Sequence, residues 1–261
     1  MPKFCANLTM MFNEADFLER FGTAAKAGFR GVEYLFPYDF DKDQIKEQLT
    51  SHGLSQVLHN LPAGDWGKGD RGIACLPDHV AEFQEGVGRA IEYATTLECP
   101  QVNTLAGITP QGVASETVRE TFTANLKFAA AELKKAGIRL LIEPINTLDI
   151  PGFYLTRTQQ ALDIIQDVGS DNLFLQYDIY HMQIMEGDLA RRIEKNLGII
   201  AHMQLADNPG RHEPGTGEIS YPFLFGHIDR IGYDGWIGCE YKPAAATEAG
   251  LGWVKPYLQQ A

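Results

Sequence analysis

Four residues in the second half of the chain have the types and spacing for proton transfer and for holding a hard metal ion: Glu143, Asp178, Gln204 and Glu240. They lie 35, 26 and 36 residues apart in succession, each about one strand-plus-helix unit. Glu143 belongs to RLLIEPIN, Arg139–Asn146, where an apolar run with strand character meets a glutamate and then a proline. An unpaired buried carboxylate is costly, or its pKa moves until it is neutral. Three carboxylates brought close cannot all stay ionised without a cation. An all-oxygen set favours Mg²⁺ or Mn²⁺ over Zn²⁺, which prefers nitrogen and sulfur. Taken singly, each residue reads as a solvated strand end or an ion-pair member. Four at matching strand positions read as one site.

These residues need parallel strands to bring them together. Candidate strands are Phe4–Met10, Gly31–Phe36, Ser55–Asn60, Gln101–Gly107, Arg139–Ile145, Leu173–Tyr180, Ile199–Asp207 and Gly235–Tyr241. Helical patterns separate them. The clearest is SETVRETFTANLKFAAAELKKAG, with a capping-box start at Ser115 and a glycine stop at Gly137. Eight strands alternating with helices in 261 residues predict a single-domain (β/α)8 TIM barrel spanning 1–261. The alternative, an open doubly wound sheet, carries a glycine-rich phosphate loop after its first strand. Here MFNEADF follows that strand, so no nucleotide cofactor is expected. In a barrel the chemistry sits at the strand C-termini, where the four residues fall. Alternation puts Gln176 on the same strand face as Asp178.

Composition narrows the class. The chain is 44% hydrophobic, with 22 Lys/Arg against 34 Asp/Glu and a net charge of −12. Nucleic-acid binders draw most of their affinity from basic surface, so no nucleic-acid partner is expected. No apolar run reaches membrane-span length, and MPKFCANLTMMF lacks signal-peptide features. Four scattered cysteines without a CxxC pair suit reduced thiols. These features together predict a cytoplasmic enzyme with no membrane partner. They leave the oligomeric state open.

The segments ANLTMMF, VEYLFPYD, LHNLPAGDW, RGIACLP, LLIEPIN, QYDIYHMQ, ADNPGRHEPGTGEI, GCEYKP and GLGW run through the whole length. They resemble the xylose-isomerase-like barrel superfamily of sugar isomerases and epimerases, and within it the hydroxypyruvate isomerases. A sister branch acting on four-carbon 2-oxo acids shares GCEYKP and FPY. The resemblance implies that Glu143 and Glu240 are an acid/base pair and also metal ligands, with Asp178 and Gln204 completing the shell. Sugar 3-epimerases have histidine where Gln204 stands, a departure that weakens the expected metal site. The divalent ion, Mg²⁺ or Mn²⁺, is therefore expected but not required.

The implied reaction interconverts hydroxypyruvate and 2-hydroxy-3-oxopropanoate, a ketose–aldose pair, through an enediol. Carboxylates of tuned pKa suit such a proton shuttle, and a divalent ion would stabilise the enediolate. Three carboxylates facing an anionic small hydroxy-oxo acid require a cationic or donor group. Candidates are Arg211, His212 and Lys242, the last sharing the face of Glu240 if its strand continues. The superfamily places a substrate-contacting arginine in the loop of Arg211 and a substrate-contacting histidine at His181. Asp149 corresponds to a supporting acid in the epimerases. His59 and Glu33 are placed to line the mouth or to be satisfied within the core. Phe36, Tyr38 and Trp66 read as packing. Competing readings are a four-carbon 2-oxo acid (2-oxo-tetronate) isomerase, a free-sugar epimerase, an endonuclease IV-like nuclease and a catalytically silent barrel.

Overall fold

In the computed structural model, which describes residues 1–258, the alternation in the sequence becomes a closed parallel barrel. Its strands are β1 (Lys3–Asn7), β2 (Gly31–Glu33), β3 (Ser55–Asn60), β4 (Gln101–Thr104), β5 (Arg139–Ile142), β6 (Leu173–Asp178), β7 (Ile200–Leu205) and β8 (Trp236–Cys239). They pair in chain order and β8 closes on β1. The helices are α1 (Phe17–Lys26), α2 (Lys42–His52), α3 (Val80–Leu97), α4 (Ser115–Lys135), α5 (Thr158–Val168), α6 (Ile179–Met185), α7 (Leu189–Asn196), α8 (Tyr221–Arg230) and α9 (Lys255–Leu258). No helix among the described residues is long and apolar enough to cross a membrane.

All eight predicted strands form. Seven end two or three residues before their predicted C-terminal boundary. The apolar pattern continues past each because the chain stays buried as it enters the barrel mouth. α4 shows how a helix covers the sheet. Val118, Phe122, Leu126, Ala129, Ala130 and Leu133 bury one stripe at helical spacing. Each large apolar side chain buried this way contributes about 1.5–3 kcal/mol. The predicted capping box does not form: Ala114 is the N-cap, Ser115 is already helical, and no side chain caps the end. At the other end Gly137, with φ +73°, makes the predicted stop.

Inward-facing residues form layers along the barrel axis. At the N-terminal end Cys5, Val57, Leu58 and Leu141 pack with Phe174, Ala201 and Trp236. Above them lies a polar layer: Asn7, Glu33, Asn103, Gln176, His202 and Gln204. A bulge in β3 interrupts the alternation. Val32 pairs with Gln56 but Glu33 pairs with Leu58, so β3 carries one extra residue there. The inside–outside order beyond Val57 is therefore reversed.

Gly238 makes room for the polar layer. A Cβ on it would overlap the Glu33 carboxylate. Gly238→Ala should therefore cost about 1–3 kcal/mol, the usual scale of overpacking. Urea denaturation measures this; an unchanged midpoint and slope would mean that Glu33 is not held against β8.

Candidate active site

β5, β6 and β8 deliver three carboxylates to one point at the C-terminal end of the barrel. Glu143 follows the last residue of β5, Asp178 ends β6, and Glu240 follows β8. Ligand atoms of Glu143, Asp178, Glu240 and His181 all lie within 4.8 Å of one another. Asp178 is fixed by its position before α6. Its Oδ1 accepts from the backbone N–H of Tyr180 at 2.7 Å and of His181 at 3.4 Å. Its Oδ2 is buried and has no hydrogen-bond partner.

Three buried carboxyl groups this close do not all ionise. Burial raises Glu143 well above the carboxylate range, and the charges of Glu240 and Asp178 raise it further. Burial pushes Glu240 up to about 8 against the opposing charge of Arg211. Asp178 is pushed up to about 6, again chiefly by burial. The three titrate as a group that shares protons.

Beneath the carboxylates lie four side-chain amides. Asn103 Nδ2 donates to Glu143 at 3.1 Å. Asn7 and Gln204 each donate to Glu240 Oε1 at 3.4 Å. Gln176 Nε2 donates to Gln204 Oε1 at 2.6 Å. Gln204, expected to offer a metal an oxygen, thus presents an N–H to the cluster. Its oxygen faces the amide of Gln176.

The tautomer of His181 follows from its neighbours. Asn146 Oδ1 accepts from the backbone of Leu148 and Asp149 at 2.9 and 2.8 Å, so its Nδ2 must face His181 Nδ1, 2.6 Å away. His181 Nδ1 is then the acceptor and Nε2 carries the proton. Burial first, and the charge of Arg211 second, hold this imidazole well below its ordinary pKa, so it is neutral. Its Nε2 lies 3.6 Å from Asp178 and 4.0 Å from Glu143. His181 therefore aims a donor into the cluster.

Arg211 covers the site from the loop after β7. It bonds Glu240 at 2.7 Å and Asp149 at 3.1 Å, and stacks over Tyr180 at 5.1 Å. Tyr180 in turn donates to Asp149 at 3.3 Å. Arg211 Nε is buried without a partner.

Four other candidate residues lie elsewhere. β8 ends at Cys239, so alternation does not carry Lys242 to the face of Glu240. Lys242 is exposed and lines a surface cleft with Met10, Glu14 and Thr247. His212 binds the Lys242 carbonyl at 2.7 Å instead of facing the cluster. The β3 bulge turns His59 out of the barrel toward α3. There it meets Gln56 at 3.0 Å and the Tyr38 ring, and burial lowers its pKa to about 3. Glu33 is wholly buried in the polar layer rather than at the rim. Asn7, Asn103 and Asn146 were missed, because single asparagines in apolar strands carry no spacing signal.

The sequence matches the xylose isomerase-like TIM barrel family over residues 21–257. The chain belongs to that family. It is 56% identical to hydroxypyruvate isomerase of Escherichia coli K12, over 98% of this chain and all of the relative. It is 48% identical to 2-oxo-tetronate isomerase of Cupriavidus necator, covering 99% of each chain. Among solved structures it resembles one titled AP endonuclease, family 2, from Brucella melitensis. That likeness has a TM-score of 0.96 and 48% identity, over 98% of this chain and 99% of the other. The barrel shared across the family places Glu143, Asp178 and Glu240 at the strand C-termini.

The raised carboxyl pKa values have a consequence for stability. A group whose pKa is raised on folding supports the fold below its unfolded pKa and ceases to as pH rises through its folded pKa. In metal-free protein the melting temperature should therefore fall as pH rises out of the ordinary carboxylate range, the share of Asp178 being lost by about pH 6 and that of Glu240 by about pH 8. Glu240→Gln should flatten the upper part of that decline in thermal melts. A melting temperature that rises with pH across this range would contradict this charge arrangement.

Proposed function

We propose that the chain is an isomerase of small hydroxy-oxo acids, with hydroxypyruvate as substrate and 2-hydroxy-3-oxopropanoate as product. The observation that carries this reading is the convergence of buried Glu143 and Glu240 beside a partly buried arginine, in a chain similar throughout to two isomerases of such acids. One glutamate in its ionised form takes a proton from C3 of hydroxypyruvate. Electrons move into the C2 carbonyl, whose oxygen takes a proton from the partner carboxyl group, and give an enediol; the same partner later accepts the proton that the C3 hydroxyl loses. A proton returns to C2 while the C3 hydroxyl loses its own and becomes the aldehyde. No atom is gained or lost. A pair of carboxyl groups that shares protons near neutral pH can both accept and supply them.

The remaining residues have positioning roles. Arg211 holds the substrate carboxylate, using its unpartnered Nε and an Nη now bonded to Glu240. His181 Nε2–H donates to a substrate oxygen. The donor set also fits a hard divalent ion, Mg²⁺ or Mn²⁺, held by Glu143, Asp178 and Glu240, because Asp178 Oδ2 is buried and unpartnered. Such an ion, when bound, supplies positive charge that stabilises the enediolate. Gln204 serves in this reading as a donor to Glu240. The name of the Brucella melitensis neighbour raises a nuclease alternative, but a net charge of −12 argues against a polyanionic substrate.

A panel of hydroxypyruvate, four-carbon 2-oxo acids and free ketoses, tested with metal-defined protein, decides the substrate. Turnover is expected on hydroxypyruvate. Preference for the four-carbon acid would move the chain to the 2-oxo-tetronate reading, and activity on ketoses alone would overturn both. Glu143→Gln and Glu240→Gln should each lower kcat by at least ~10²-fold at saturating metal. Arg211→Ala should chiefly raise KM. Near-normal kcat in folded Glu240→Gln would remove Glu240 from proton transfer.

A further inference from the structure

Glu33 is a wholly buried carboxylate that the mechanism above does not use. It stands in the polar layer beneath the site, and every contact it makes is to a donor. His202 Nε2 lies 2.6 Å from Oε2, with Cys5 Sγ 3.5 Å from the same oxygen. Asn7 Nδ2 and Gln204 Nε2 donate to Oε1 at 2.9 and 2.8 Å. Burial alone would raise its pKa, but His202 and the two amides together bring it below the usual carboxylate range. Apolar residues can commonly replace a buried charged group without loss of stability. Its retention here calls for something other than packing.

That role lies in the direction of the amides. An ionised carboxylate only accepts hydrogen bonds. Gln204 must therefore turn its NH₂ toward Glu33, and the same nitrogen reaches Glu240 Oε1 at 3.4 Å. Gln204 Oε1 is left facing Gln176, which must then present its own NH₂ at 2.6 Å. Asn7 needs no such help. The backbone N–H groups of Thr9 and Met10 hold its Oδ1 at 3.1 and 3.3 Å, which aims Nδ2 at Glu33 and Glu240. The two glutamines have no backbone anchor of this kind. Their direction is set from Glu33 outward.

We propose that Glu33 is a positioning residue that fixes the polarity of a Gln204–Gln176 amide chain, so that an N–H group of Gln204 faces Glu240. The kinetic part of this proposal rests on the isomerase reading; the hydrogen-bond part does not. Without Glu33 as acceptor, Gln204 is free to turn its oxygen to Glu240. Oxygen would then face oxygen, and the glutamate would lose a donor.

Two measurements test the proposal. In protein labelled with ¹⁵N at glutamine side chains, the NH₂ protons of Gln204 and Gln176 should exchange slowly with solvent and lie outside the free-amide shift range. Glu33→Gln should shift both pairs. Free-amide behaviour of Gln204 in the unaltered protein would overturn the proposal with no variant needed, and does so even if no hydroxy-oxo acid is turned over. In kinetics, Glu33→Gln should lower kcat by ~10-fold or more while KM stays within about threefold, the scale of removing a supporting hydrogen bond. Gln204→Met should lower kcat similarly. If Glu33 acts through Gln204, the double variant should be no slower than Gln204→Met alone. A full additional loss in the double variant, or an unchanged kcat in folded Glu33→Gln, would overturn it.

Discussion

Glu33, Glu143, Asp178 and Glu240 put four carboxyl groups inside one closed barrel, and each is less than a tenth exposed. Their mutual repulsion and lost hydration are the constraint that the surrounding residues answer. The lower carboxylate, Glu33, is answered with His202, Asn7 and Gln204. The upper three are answered only in part. Arg211 reaches Glu240, backbone amides hold one oxygen of Asp178, and the other Asp178 oxygen has no partner. A fully compensated cluster would resist a proton, a cation or a substrate. The incomplete balance leaves the upper cluster able to take them up.

The barrel supports this imbalance because its strands are rigid and their hydrogen bonding is internally satisfied. Rigid strand ends hold like charges together that flexible loops would let drift apart. The cation that faces the cluster is Arg211, on the loop after β7. It is partly buried and stacked on Tyr180, and Asp149 gives it an anchor separate from Glu240. A guanidinium with two carboxylate partners can exchange one of them for an incoming anion and keep the other. Asp149 therefore has a definite role in the substrate reading, although it touches none of the three clustered carboxylates.

The amide layer joins these two levels. Asn7 and Gln204 bond both to Glu33 below and to Glu240 above. The polar contents of the barrel thus form one connected network rather than a site resting on an inert core. Gly238 belongs to it through its missing side chain, since any Cβ there would displace Glu33.

The sequence by itself determined the alternation of strands and helices, and with it the barrel, because apolar periodicity is a local property. It also indicated that Glu143, Asp178 and Glu240 meet, since separations of whole strand–helix units place residues at one end of a parallel barrel. It did not determine the sense of each side chain where alternation fails. The one-residue bulge in β3 turned His59 outward, and the end of β8 at Cys239 left Lys242 at the surface. Only the tertiary structure decided that Gln204 presents nitrogen rather than oxygen to the cluster. That choice depends on Glu33, 171 residues away in the chain, whose carboxylate can only accept. The direction of an amide is set by the partners it meets in space, and those partners follow no pattern along the chain.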